Sequence, residues 1–125
     1  MLLNSLYTLN EITEPSKDEI SAQMRLINDS TIFLGHFPEN PILPGVSMVQ
    51  ATADLLSQHF KVAYTMRSAD YIKFIALVDP SKTTFLQLSL KLTLMEEEVF
   101  SVQAQLSGTT NIYVKLKGIF STYSK

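Results

Sequence analysis

The chain has 125 residues, of which 46% are apolar and 18% are charged, values typical of one globular domain with a single hydrophobic core. It contains no cysteine, which excludes disulfides, thiolate zinc sites, iron–sulfur clusters and cysteine nucleophiles. The net charge of −2 argues against a general attraction to nucleic acid, because that attraction requires an excess of basic residues. We therefore interpret residues 1–125 as a single domain.

No membrane or export signal is recognised in the sequence. The longest uninterrupted apolar run is 74–78, far short of the roughly 20 residues that cross a bilayer. Residues 1–7 have neither a basic leader nor a continuous apolar stretch, so a secretory signal is not predicted. A cytoplasmic protein without a membrane span is expected.

The first third of the chain predicts a hairpin followed by a rigid loop. Apolar and polar residues alternate over 2–9 and 20–27, as in strands with one buried face. Turn-forming residues occupy 14–18 between them. Prolines at 38, 41 and 44 restrict the backbone, so 37–43 is expected to be a stiff, non-helical loop.

A helix is predicted after this loop. Its apolar positions recur at spacings of three and four, which place them on one stripe; they are Val46, Val49, Ala53, Leu56 and Phe60. Few charged residues lie on the other sides. Such a helix is usually buried rather than lying on a surface.

The remainder of the chain predicts strands joined by short turns. Leucines at 86, 88, 90, 92 and 94 alternate with polar residues, a period of two that fits a strand over 84–94. Further strands are expected at 71–76, 99–106 and 112–123. The order of elements is α+β, with one sheet face packed on one helix. Unpaired edge strands favour pairing with a second copy.

The sequence from Gly35 to Val46 reads Gly-His-Phe-Pro-Glu-Asn-Pro-Ile-Leu-Pro-Gly-Val. This motif resembles the beta-hydroxyacyl-acyl-carrier-protein dehydratase family, in which a histidine precedes Phe-Pro and Pro-Gly-Val opens a helix. The resemblance is strongest over 31–56 and looser as far as about 123. It implies a hot-dog fold, an antiparallel sheet wrapped around one central helix, here without the leading segment of many members.

The resemblance also implies roles for individual residues. His36 would be the base that removes the proton next to a thioester carbonyl, a task suited to an imidazole poised near neutrality. Backbone N–H groups of Gly45 and Val46 would stabilise the enolate-like oxygen. Phe37 and Pro44 are counted with them as substrate-binding positions.

The sequence departs from the family pattern on the helix. Fourteen residues after His36, where the family has a carboxylate, the chain has Gln50, which cannot release a proton. Asp54 lies four residues further and therefore on the same helix face. The two resemble the family's acid and amide in exchanged order. Asp54 could act directly, or through a water held by Gln50, or simply make a buried hydrogen bond.

Three functions are compatible with these residues. The first is dehydration of a 3-hydroxyacyl thioester carried by acyl carrier protein or coenzyme A, with His36, Gln50 and Asp54 as the catalytic set. The second is a hot-dog thioesterase, and the third is a weakly active or inactive subunit that partners an active relative. A homodimer or higher homo-oligomer is expected, with a hetero-oligomer as the alternative, and no cofactor or metal is expected.

Other polar and aromatic residues allow two interpretations each. A structural role at the helix end is expected for His59, and a solvated turn for 96–98. The basic residues after the helix are scattered surface charges or a docking patch for acyl carrier protein, and the aromatic ones line an acyl tunnel or the core. The basic set is Lys61, Arg67, Lys73 and Lys82; the aromatic set is Tyr64, Tyr71 and Phe74.

Overall fold

A computed structural model describes residues 7–27, 46–79 and 83–124. Six strands and one helix lie within these ranges. They are β1 (Tyr7–Ser16), β2 (Glu19–Leu26), α1 (Val46–Phe60), β3 (Tyr64–Phe74), β4 (Phe85–Glu96), β5 (Val99–Ser107) and β6 (Ile112–Thr122). All five strand pairings are antiparallel, in the order β1-β2-β4-β5-β6-β3.

One face of the sheet forms the core with the helix. Because side chains alternate between the two faces of a strand, every second residue of β2, β4, β5 and β6 points inward. The buried set includes Ile20, Ala22, Met24, Leu86, Leu88, Leu90, Val102, Ala104, Leu116 and Phe120. Their polar neighbours lie on the other face, so the predicted α+β arrangement of one sheet face on one helix is confirmed.

The helix is buried around most of its circumference, as the scarcity of charge predicts. Its deepest apolar residues, Met48, Ala51 and Leu55, are not those of the predicted stripe. Val49 is only partly buried, and Phe60 is exposed enough to stack on Phe100 of β5, with ring centroids 5.1 Å apart. The stripe prediction was wrong in this detail, because apolar periodicity cannot choose a face when several sides of a helix are apolar.

Both edge strands differ from their predicted bounds. β1 continues through the predicted turn as far as Ser16, and the turn is confined to 17–18. Pro15 is tolerated there because an edge strand has a free side on which no N–H partner is required. β3 begins at Tyr64 instead of 71. Its exposed, irregular first half lacks the alternation that identifies half-buried strands.

The β4–β5 hairpin extends beyond the core. Leu94 continues the leucine alternation but is 63% exposed, since the core ends before the hairpin tip. The tip itself is a turn at 97–98, with Glu98 at a φ of 61°. The predicted solvated turn is confirmed.

Strand β3 lies close to β6 at one position. Gly118 of β6 pairs with Ala69 of β3, and a Cβ atom at Gly118 would lie 2.6 Å from the backbone oxygen of Ser68. The register of β3 shifts on both sides of this pair. The absence of a side chain at 118 therefore allows the irregular edge strand to approach β6.

Within the described ranges, no helix is both long and apolar enough to cross a membrane.

Candidate active site

The structure describes two of the predicted site side chains, and both lie on α1. Gln50 and Asp54 are one helical turn apart, as their spacing requires. Val46 is the first residue of the helix, where backbone N–H groups have no partner within the helix. The remaining predicted site residues lie outside the described residues; they are His36, Phe37, Pro44 and Gly45.

The carboxylate of Asp54 is buried and hydrogen-bonded at both oxygens. Its side chain belongs to a residue only 1% exposed. Gln50 Nε2 donates to Oδ1 at 2.8 Å, and the hydroxyl of Tyr7 donates to Oδ2 at 2.5 Å. These bonds satisfy the polar group in the core, where an unpaired carboxylate would be costly. The coupling between 50 and 54 suggested by the sequence is present as a direct contact.

Tyr7 comes from the opposite end of the fold, at the start of β1. It is fully buried, and burial, the hydrogen bond to Asp54 and the charge of that carboxylate all raise the pKa of its hydroxyl above the usual value near 10. The hydroxyl therefore remains a neutral donor throughout the physiological pH range. No sequence pattern indicated this residue, because its partner lies 47 positions away.

Ser47 adds a third polar group to the same side of the helix. Ser47, Gln50 and Asp54 are spaced i, i+3 and i+7, which places them on one face. Ser47 Oγ is buried and has no hydrogen-bond partner among the residues that the structure describes. By contrast, Thr52 Oγ1 donates to the carbonyl of Met48, one turn earlier. The polar spacing in an otherwise apolar helix was the signal by which Ser47 could have been found.

The basic residues after the helix do not form one patch among the described residues. Arg67 is engaged with the end of β6, where Nε donates to Ser121 Oγ at 2.7 Å and Nη2 donates to the Thr122 carbonyl at 2.8 Å. Lys73 lies over the ring of Tyr71, 4.8 Å from its centroid. Lys82 lies outside the described residues.

The aromatic set divides in the same way. Tyr64 is part of the core, whereas Tyr71 and Phe74 are exposed on the edge strand. Core packing thus explains Tyr64 alone. His59 Nε2 lies 3.8 Å from Glu14 Oε1 of β1, in the last turn of the helix, in agreement with a structural position.

Comparison with known proteins assigns the chain to a family. A family model described as ApeI-like, ApeI dehydratase, matches residues 11–113. The chain belongs to the ApeI-like dehydratase family. A curated relative from Wolbachia pipientis, named 3-hydroxyacyl-(acyl-carrier-protein) dehydratase FabZ, is 34% identical over 86 residues, which are 62% of this chain and 59% of the relative. The chain thus matches less than two thirds of that relative's length.

Solved structures resemble this ApeI-like chain in fold. One belongs to the dehydratase heterocomplex ApeI:P from Xenorhabdus doucetiae, with 19% identity, a TM-score of 0.71 and coverage of 92% of this chain and 97% of the other. Another is a mutant of thioesterase PA1618 from Pseudomonas aeruginosa, with 13% identity, a TM-score of 0.59 and coverage of 88% and 78%. The hot-dog fold and the dehydratase-family resemblance predicted from the sequence are confirmed. The chain is a 3-hydroxyacyl dehydratase-like protein.

Proposed function

We propose that the protein removes water from a 3-hydroxyacyl thioester carried on acyl carrier protein. The family match over 11–113 and the relative named for that carrier support this assignment. The observation on which it depends most is the buried Gln50–Asp54 pair on α1. It supplies a carboxylate and an amide on the helix that follows the histidine loop, four residues apart and in contact.

The reaction requires one proton to move and one oxygen to leave. His36 removes a proton from C2, the electron pair of that bond forms the C2–C3 double bond, and the C3–O bond breaks. Negative charge that develops on the thioester oxygen is stabilised by the N–H groups of Gly45 and Val46. The departing hydroxyl takes up a proton and leaves as water, so the proton lost from C2 balances the one gained by oxygen.

Asp54 acts on the substrate through Gln50 in this scheme. Its burial and its two hydrogen bonds leave little room for direct contact with an acyl chain. Gln50, which is only partly buried, holds the hydroxyl of the substrate. Since an amide cannot release a proton, the imidazolium of His36 returns the C2 proton to the departing oxygen.

A dimer completes the site in this proposal. β3 is an edge strand, and the residues at its end and just beyond it expose large apolar side chains, including Phe74 (60%), Ile75 and Leu77. An exposed apolar edge favours pairing with a second chain. In proteins with a similar motif, the histidine of one subunit faces the helix of the other, so we expect activity to fall on dilution below the dimer dissociation constant.

The test is a turnover assay on 3-hydroxyacyl thioesters of acyl carrier protein and of coenzyme A. Absorbance from the conjugated enoyl thioester is expected with the wild-type chain and is expected to be lost in His36→Ala. Faster turnover of the carrier-protein substrate supports the proposed carrier. Release of free thiol without enoyl absorbance would indicate a thioesterase and contradict the proposal.

A non-catalytic subunit is the second candidate, and the amide at position 50 favours it. The structural relative from Xenorhabdus doucetiae is titled as a heterocomplex, so a partner of related fold is a reasonable expectation. If the purified chain is inactive alone, Gln50→Glu distinguishes the two functions. Activity that arises only in this variant supports the non-catalytic subunit.

A further inference from the structure

The Gln50 side chain can turn its amide in two ways, and its neighbour selects one of them. An ionised carboxylate only accepts hydrogen bonds, whereas an amide has a donating nitrogen and an accepting oxygen. With Asp54 Oδ1 2.8 Å from the amide, the nitrogen must face the carboxylate. The carbonyl oxygen of Gln50 consequently points away from Asp54 and is available to another donor.

This arrangement holds only while the Asp54 carboxylate is itself fixed. Rotation about its Cβ–Cγ bond would move Oδ1 away from the amide, and the broad torsional preference of this bond offers little resistance. The hydroxyl of Tyr7 donates to the other oxygen, Oδ2, in the core. With one donor on each oxygen, the carboxylate plane is defined from two sides.

We propose that Tyr7 is a positioning residue of the candidate site: its hydroxyl fixes the Asp54 carboxylate, which holds the Gln50 amide with its oxygen directed away from Asp54 to accept the substrate hydroxyl. The last step rests on the proposed function, whereas the orientation of the amide does not. Tyr7 precedes the 11–113 segment matched by the family model, so the family comparison does not assign it.

The experiment compares the Gln50 side-chain amide by ¹⁵N–¹H NMR in the wild-type chain, Tyr7→Phe and Asp54→Asn, with assignment by loss of its peaks in Gln50→Met. Tyr64→Phe is the matched control, because it removes the hydroxyl of another core tyrosine that packs near Phe60 and Phe100. Circular dichroism and thermal melting establish that each variant is folded.

Loss of the Tyr7 hydroxyl should increase solvent exchange of the Gln50 amide protons by about tenfold or more, because the anchoring carboxylate becomes mobile. Tyr64→Phe should leave these peaks unchanged. In Asp54→Asn the amide is expected to turn, since a donor can now face it, and its peaks should shift strongly. Unchanged Gln50 peaks in folded Tyr7→Phe would overturn the proposal; if that variant does not fold, unchanged peaks in Asp54→Asn would do so.

Turnover measurements separate this proposal from the proposed function. In an active dehydratase, Tyr7→Phe should lower kcat by about tenfold with a smaller change in KM, as expected when a group that orients the reacting atoms is loosened. A chain that is inactive on every 3-hydroxyacyl thioester, yet has a Gln50 amide that depends on Tyr7, contradicts the function and retains the positioning role.

Discussion

The amide nitrogen of Gln50 lies 2.8 Å from Oδ1 of Asp54, one turn further along the same helix. The carboxylate that the family motif has at the first of these two positions is therefore displaced by a turn and is joined to the residue that replaces it. A substrate held at position 50 would sense the charge of Asp54 only through the amide. This relationship is the basis of the first two predictions.

Asp54→Asn should reduce turnover by about 10²-fold, toward the lower end of the effect of losing a general acid or base. The variant preserves side-chain volume but presents a donor to the Gln50 nitrogen. Steady-state kinetics on a 3-hydroxyacyl thioester measure the effect. Thr52→Val is the control, because Thr52 is a buried polar residue of the same helix whose hydroxyl bonds only within it. Undiminished turnover in Asp54→Asn would end the coupling hypothesis.

Gln50→Glu should change the pH dependence of turnover. Two carboxyl groups at hydrogen-bond distance cannot both ionise readily, so the pair retains one proton at a raised pKa and becomes a proton donor. We expect turnover of this variant to decline as pH rises and the shared proton is lost. A pH profile from 5 to 9 tests this, with Gln50→Ala as the inactive comparison. Profiles of identical shape in the variant and the wild type contradict the prediction.

Tyr7 should make the fold sensitive to alkali. Its raised pKa in the folded state means that its stabilisation is fully present below the unfolded value near 10 and is lost as pH rises further. The difference in unfolding free energy between the wild type and Tyr7→Phe should be constant from pH 7 to 9. Above pH 10 it should narrow by about 1.4 kcal/mol per pH unit.

Urea denaturation at pH 8, 9, 10 and 11 measures this difference. The pKa of Tyr64 is also raised by burial, but Tyr64 is present in both proteins and cancels. A difference that stays constant up to pH 11 is incompatible with the buried Tyr7–Asp54 bond.

Gly118→Ala should destabilise the fold by about 1–3 kcal/mol, the usual cost of adding a methyl group to a well-packed position. The new Cβ would meet the Ser68 carbonyl at 2.6 Å, so β3 must shift away from β6. Gly108→Ala is a milder control, since its Cβ would meet only the ring of Tyr113, at 3.1 Å. Equal melting temperatures for the two variants would show that β3 adjusts without cost.

Phe74→Lys should weaken the proposed dimer, because it places a charge on the apolar edge at the end of β3. Leu94→Lys is matched to it, since Leu94 is as exposed (63% against 60%) but lies on the β4–β5 hairpin. Analytical ultracentrifugation over a range of concentrations gives the dissociation constants. A larger effect of Leu94→Lys than of Phe74→Lys would assign the interface to the hairpin instead.

Strands that line the core were predictable from the sequence, and edge strands were less so. The leucine alternation of β4 has a period of two because one of its faces is buried. β3 has one flank without a strand partner and a largely exposed surface. Its first half therefore has no apolar pattern to read. The position of Leu94 was missed for a related reason, since alternation specifies a face but not where the core ends.

The candidate site divides between local and distant contacts. The Gln50–Asp54 contact follows from helical spacing and was accessible to sequence reasoning. The bond from Tyr7 was not, because it joins residues 47 positions apart through the packing of β1 against the helix. A tyrosine in an alternating strand has no local feature that distinguishes a core residue from a hydrogen-bond donor to a helix.

β1 has a strand partner on one side only, β2, and outer strands of a sheet generally open at lower free energy than inner ones. Each such opening withdraws the Tyr7 hydroxyl from Asp54 while the helix remains in place. Amide hydrogens of β1 should therefore exchange with deuterium before those of β4 and β5. The order of the carboxylate at position 54 then depends on how often this one strand detaches.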